Sequence, residues 1–444
     1  MRLSALCLSL ALASTPLLAK VPAHEADQLR NRLTPLGGER AGNAEGTIPE
    51  WRGGQTASPP CHVRGRRYCD PHAGQQPYLV ITAENADAWS NQLSAGQMQM
   101  LQRHPTYRIP VYPSQRSFAN PGAVYEAAHR NALNAVMTPS GEAVREASLA
   151  VPFPVTKNGL EMIWNHRLRY RGPGYSRWFS HASVTGTGDV NLTRVREDAE
   201  FPYTAPDTMK DGVMQRWLQI VLAPERLYGY VNLIYDTLDP AEKPQNTWRQ
   251  VPDPKRILRL RTFGADNPAM LSEDLRFDDQ HDGFFGTPGR YTWRLAQKRE
   301  MFVPYNSYAL HGSRESIRDI IQPAHLKPEL TRYELHRVWV VEALLKPSAS
   351  HRAKRRTFYI DEDSWQILMV DLYDRADRLW RWQETHTMMA YDRATLIPAA
   401  EVFYDFETAR YLVMSIDEGD PERIETTFDD NRFTPSGARA QAPH

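Results

Sequence analysis

Residues 356–391 read RTFYIDEDSWQILMVDLYDRADRLWRWQETHTMMAY, and this stretch sets the fold class. Arg356 to Ile360, Trp365 to Tyr373 and Arg378 to Tyr391 are rich in β-branched and aromatic residues, a composition that fits a pleated, half-buried surface. Asp361-Glu362-Asp363 and Asp374-Arg375-Ala376-Asp377 separate them, and Asp favours turns because its side chain bonds the backbone just ahead of it. Connections this short leave no room for a crossover helix, so the strands run antiparallel. In the last strand Trp380, Trp382, Glu384, His386 and Met388 share one face, while Leu379, Arg381, Gln383, Thr385, Thr387 and Met389 share the other.

Outward from this meander the strand texture continues toward the N-terminus. Glu334 to Leu345 sets Leu335, Arg337, Trp339, Val341 and Ala343 on one face, and Tyr291 to Leu295 and Met301 to Tyr305 are short strand candidates divided by charges. Leu227 to Leu238 is rich in Tyr, Val and Ile, and the strand texture begins near Tyr170. Before that point the signals are helical. Ser94 with Gln97 forms a capping box ahead of Met98 and Leu101, and Thr82 is an earlier cap candidate. Asn120-Pro121 opens a helix toward Val136, and Asn158 with Glu161 starts another through Met162, Ile163 and Trp164. Helices followed by an antiparallel meander make an α+β protein.

Residues 1–19 have the layout of an export signal: Arg2 supplies positive charge, Leu3 to Leu18 is apolar, and Ala19 offers a small cleavage residue. The apolar run is shorter than the ~20 residues that cross hydrocarbon, which favours cleavage over anchoring. Three cysteines are present, and Cys7 would leave with the signal. Cys61 and Cys69 then form an even pair, read as a disulfide in an oxidising compartment. A metal site from Cys61, His62, Cys69 and His72 is the rival, but its spacing matches no common zinc pattern. The expected organisation is a signal peptide at 1–19, an extended N-terminal arm at 20–80 carrying the disulfide, a sheet domain with a helical block at 81–418, and a polar, poorly ordered tail at 419–444. The expected location is the periplasm.

Lys and Arg total 53, as do Asp and Glu, and this balance argues against nucleic acid as partner, since phosphate binding needs a basic face. The basic stretch from Lys255 to Arg261 reads equally as a half-buried strand with a charged outer face. No Gly-x-Ser-x-Gly elbow, His-Glu-x-x-His helix or Walker loop occurs. The glycines from Gly283 to Gly289 read as a hairpin turn. His166 and His386 have apolar or aromatic neighbours and read as hydrogen-bonded structural histidines. Asp278-Asp279 and Asp361/Asp363 could pair as acid and base, but at turns they read as solvated carboxylates. The expectation is therefore a protein that is not an enzyme and uses no cofactor. Trp339, Met369, Trp380, Trp382 and Met388 are the candidate ligand-binding residues, because large apolar side chains on a curved sheet either fill a core or line a cavity for an acyl chain.

Two further stretches carry a family resemblance. LTPLGGERAGNAEGTIPEW at 33–51 and PVTKNGLEMIWNHR at 154–167 resemble landmarks of a secreted Gram-negative family, domain of unknown function 1329. WRQVPDPKR at 248–256, Ser272 to Leu275, Phe358 to Asp361 and Tyr373 to Arg375 resemble segments of the outer-membrane lipoprotein-sorting (LolA/LolB-like) superfamily, with Gln250 departing at an aromatic position. The resemblance implies a strongly curved half-barrel sheet wrapped around helices. It also implies a periplasmic carrier of lipid or another apolar small molecule, working with a transporter of the resistance-nodulation-division type or an outer-membrane protein. A non-catalytic envelope scaffold, docking through the 34–80 arm, is the competing reading.

Overall fold

The computed structural model describes residues 20–63, 65–205, 209, 212–250, 256–260, 264–312, 316–417, 428–429 and 431–442. The signal expected at 1–19, the ends of the basic stretch at Lys255 and Arg261, and all of 419–427 lie outside the described residues. Fifteen strands join in one large sheet, and a two-stranded ribbon of β3 (Val136–Met137) and β4 (Val144–Arg145) stands apart. The first part of the large sheet holds β1 (Leu79–Ile81), β2 (Ile109–Tyr112), β5 (Gly174–Val184), β6 (Val190–Glu200), β7 (Val213–Ala223), β8 (Val231–Thr237), β9 (Asn246–Gln250) and β10 (Ile257–Leu260). The second holds β11 (Tyr291–Pro304), β12 (Tyr333–Leu345), β13 (Arg355–Asp361), β14 (Ile367–Tyr373), β15 (Leu379–Ala390), β16 (Thr395–Asp405) and β17 (Arg410–Ile416).

From β11 the order runs β12-β13-β14-β15-β16-β17-β5-β6-β7-β8-β9-β10, with β2 and β1 attached at the start of β12. All pairings are antiparallel except β2 with β12. The sheet is curved and does not close, so the α+β expectation holds. The join between β17 and β5 brings Tyr411 opposite Val184, residues far apart in the chain.

Local chemistry accounts for the helices. In α2 (Ala95–Arg103) the Ser94 hydroxyl accepts from Gln97 N–H while the Gln97 side chain accepts from Ser94 N–H, the expected capping box. The amides of Ala95 and Gly96 donate to Asp371 on β14 at 3.3 and 3.0 Å, which fixes the start of α2 to the sheet. Only glycine fits at 96, because a Cβ there would lie 2.1 Å from the Trp382 ring. Asn158 caps α4 (Gly159–Leu168) through Glu161 N–H, as its sequence suggested. The helix opened at Asn120-Pro121 is observed at Gly122–Asn134.

Four expectations need correction. The two strand candidates around 291–305 form one strand, β11; its central charges sit on an edge strand, where a solvated face is tolerated. The glycines at 283–289 are not a hairpin: they lie in a long irregular segment, 264–290, laid over one face of the sheet. There Phe284 packs on Phe358, and Phe285 joins Trp217 and Phe201. The tail is partly ordered: Pro435–Gln441 is helical, with Phe433, Ala438 and Ala442 buried against Leu218, Val231 and Leu233. The apolar residues of that polar stretch recur on one side, which suffices to dock a short helix. Last, the carboxylates of Asp361, Asp363 and Asp279 are buried and not solvated.

Candidate functional site

The buried carboxylates form two ionic clusters. In the first, Arg116 donates to both Asp363 oxygens, at 2.9 and 2.6 Å, and to the carbonyls of Glu39 and Pro49 at 2.8 and 3.2 Å. Arg337 donates to the Ala41 carbonyl and approaches Glu362, and Trp365 Nε1–H donates to the Leu36 carbonyl. The 33–51 motif is thus the acceptor shell for these cations, and the arm is bound to its own sheet. His336 lies between Glu334 and Asp361, at 3.2 and 3.6 Å. Burial opposes its charge, yet hydrogen bonds to those two carboxylates push its pKa up to about 9. In the second cluster Arg356 meets Asp279 at 2.8 Å, with His351 at 3.4 Å from the same carboxylate.

His336, Asp361 and Asp363 are also a group among the described residues that could converge on a metal ion, their donor atoms lying within 4.8 Å of one another. A protonated His336 and a bidentate Arg116 already hold these carboxylates. The arrangement is a salt-bridge cluster, and a further cation would meet like charge.

The nominated apolar residues are packed. Met369, Trp382 and Met388 belong to the main core, and Trp382 stacks on Tyr404 at 5.1 Å. Trp339 packs against that core beside Trp365 and Lys298. Trp380 lies elsewhere, against Phe277 and between Arg352 and Arg381. The five therefore do not line one common space. His166 accepts from Ile367 N–H at Nδ1 and bonds the Asp282 carbonyl at Nε2, and burial lowers its pKa to about 3. It is a neutral structural histidine. His386 is fully buried, with Ser307 and Glu384 at 3.3 Å.

A different group stands out beneath the 264–290 segment. Register pairs His181 with Thr193, Arg177 with Glu197 and Gln219, and Thr385 with Glu401, so these side chains point to one face of the sheet. On the covering segment Arg276 and His281 meet them. The pair of Arg177 with Glu197 is closed at 2.7 Å, and Gln219 donates to the same carboxylate at 2.7 Å. Burial would raise Glu197, but Arg177 and its other neighbours hold it down at about 2. Arg276 and Glu401 are different: they are 6% and 4% exposed, and neither side chain has a hydrogen bond or ion pair among the described residues. Arg276 Nε, Glu401 Oε1, His181 Nδ1, His281 Nε2 and Trp217 Nε1 are all buried without a partner. Burial, reinforced by the Asp282 charge, pushes Glu401 up to about 7; burial lowers His181 to about 3 and His281 to about 4, so both are neutral near pH 7. Apolar side chains flank this polar group: Phe201, Trp217 and Phe285 on one side, and Leu275, Phe403, Leu412 and Met414 on the other.

Reading the sequence did not find this group. Stretches such as RVREDAE at 194–200 look like a solvated surface, because Arg194, Arg196, Asp198 and Glu200 charge one face and Glu197 interrupts Val195 and Ala199 on the other, hiding the apolar alternation of a buried strand.

The fold is α+β: a large, open, curved antiparallel sheet with a buried polar cluster beneath the 264–290 segment. The chain belongs to the DUF1329 family of proteins of unknown function, whose model matches residues 80–439. The 33–51 motif lies before that span. Over 441 residues the chain is 38% identical to "Uncharacterized protein PA3922" of Pseudomonas aeruginosa, covering 98% of this chain and 97% of that one. Among solved structures, a putative outer membrane lipoprotein-sorting protein domain from Vibrio parahaemolyticus aligns with TM-score 0.44 and 14% identity, over 63% of this chain and 98% of that one. A DUF1329 family protein from Desulfovibrio piger gives TM-score 0.42 and 14% identity over 60% and 90%. A LolA superfamily protein from Nitrosomonas europaea gives 0.39 and 10% over 63% and 99%.

Proposed function

We propose that the protein is a non-catalytic binding or carrier protein of the periplasm. Its ligand is a lipid-like, amphipathic molecule whose polar group enters the chamber between β5–β7, β16 and the 264–290 segment. One observation carries this reading. Arg276 and Glu401 are buried and feel each other's charge, yet Arg276 Nε and Glu401 Oε1 have no hydrogen-bond partner, an arrangement that costs about 1–3 kcal/mol per group and that folding alone does not require. A ligand that accepts from Arg276 and donates to Glu401 satisfies both. The aromatic and aliphatic flanks suit its apolar part, at roughly 0.8 kcal/mol per methylene buried. The cysteine bridge, formed between Cys61 and Cys69, supports an oxidising compartment. Among the described residues no helix is long and apolar enough to cross a membrane. Unloading then needs a partner that lifts the covering segment, and an envelope transporter or an outer-membrane protein is the class expected.

The test is native mass spectrometry of the full chain purified from the periplasm without detergent, followed by solvent extraction. A co-purifying amphipathic adduct, absent from an Arg276→Met variant, is expected. A chain that carries no adduct, and whose melting temperature is unchanged by extraction, would overturn the reading.

A further inference from the structure

The disulfide loop builds a second site. His62, Arg66, Arg67 and Tyr68 lie between the two bridged cysteines and form one wall of a pocket of about 740 Å3, which Tyr170 and Arg393 help to close. The wall is braced. His62 stacks on Tyr68 with ring centroids 5.7 Å apart, and Tyr68 N–H donates to His311. The Tyr68 hydroxyl donates to Asp392 at 2.8 Å, so the carboxylate in the lining is engaged by the wall itself. Three guanidinium groups line the pocket. Arg67 is engaged by Asp417 at 3.4 Å, Arg66 is exposed at the rim, and Arg393, whose Nε lies 3.9 Å from Asp392, has its Nη1 buried with no hydrogen-bond partner among the described residues.

Planar guanidinium groups recognise phosphate and carboxylate oxygens in pairs, which a single point charge does not. Aromatic rings beside them offer a face to a sugar or ring. We propose that this pocket binds an anionic group, phosphate or carboxylate, carried on a sugar or ring, and that the Cys61–Cys69 bridge keeps its wall in the binding shape. A preformed wall avoids the ordering cost that a nine-residue open loop would meet on binding. The site is separate from the chamber under 264–290, and its failure leaves that reading untouched.

The full oxidised chain is titrated calorimetrically with ribose 5-phosphate, and floated with phosphatidylcholine vesicles with and without phosphatidylglycerol. Binding of the soluble probe assigns the site to a free phosphorylated ligand; binding only to the anionic vesicles assigns it to a lipid headgroup. In either case Arg393→Gln and Arg66→Gln are each expected to weaken binding by about fivefold or more, with unchanged circular dichroism. The Cys61→Ser/Cys69→Ser double variant weakens it too. No binding in either arm, or binding indifferent to both arginine substitutions, overturns the proposal; indifference to the cysteine variant alone overturns the role of the bridge.

Discussion

Two buried arginines on irregular segments packed against the sheet, Arg116 and Arg276, sit in opposite circumstances. Arg116 meets Asp363 with both oxygens and fills its remaining donors with arm carbonyls. Arg276 is as deeply buried and meets no carboxylate at bonding distance among the described residues, only the ring of Phe403 at 5.9 Å. Burial of charge is tolerated structurally when the partner comes with the fold. The contrast separates a region tied together by ion pairs, around β12–β14 and the arm, from one that leaves buried polar atoms without hydrogen bonds, around β5–β7 and β16.

Four measurements test that contrast, beginning with the largest effect. Arg116→Ala removes one partner of a buried cluster and strands its carboxylates, so urea unfolding should show a loss of about 3–5 kcal/mol. A loss under 1 kcal/mol would mean that the arm is held by other contacts.

Next is pH. Glu401 has its pKa raised by burial to about 7 from a reference of 4.5, so between those values the folded chain binds more protons than the unfolded one. Its contribution is fully favourable below about pH 4.5 and is lost as pH rises through 7. Glu401→Gln should therefore gain on the natural chain by up to about 3 kcal/mol between pH 4.5 and pH 8, read from urea midpoints at each pH. A difference that does not change with pH would show Glu401 to be ionised and paired, and the chamber to be an ordinary closed core.

Third, Arg276→Met should stabilise the ligand-free protein by about 1–3 kcal/mol, opposite in sign to Arg116→Ala, because it removes a buried guanidinium whose Nε has no hydrogen-bond partner. The same substitution should abolish retention of the native ligand. Destabilisation of the ligand-free chain would place Arg276 in the structural class. The smallest effect belongs to Arg108, whose pair with Glu329 is about half exposed at both ends. Arg108→Ala should shift stability by no more than about 1 kcal/mol, which sets the noise against which the other three are judged.

How much could be read in advance depends on the region. The meander at 356–391 was legible because its core-facing residues are apolar and its turns carry Asp. The capping box at Ser94 and the Asn158 cap were legible because they are local. The strands at 174–223 were not delineated, nor were 395–405 and 410–416, because several of them bury charge and lose the alternation on which a strand is recognised. The turn Asp361-Glu362-Asp363 was read as solvated for a related reason: its neutralising partners, Arg116, His336, Arg337 and Lys298, come from other parts of the chain.

By itself the sequence determined the α+β class, the antiparallel meander, the helix starts, the cysteine pair and the family landmarks, since each rests on residues near one another in the chain. The tertiary structure alone decided which charges are paired, that the arm wraps Arg116, that the tail packs as a helix, and that β17 meets β5 beside a buried polar cluster. The reason is physical: whether a buried charge is a structural tie or an open binding group depends on what lies within about 4 Å of it, and those neighbours come from segments that only the folded sheet brings together.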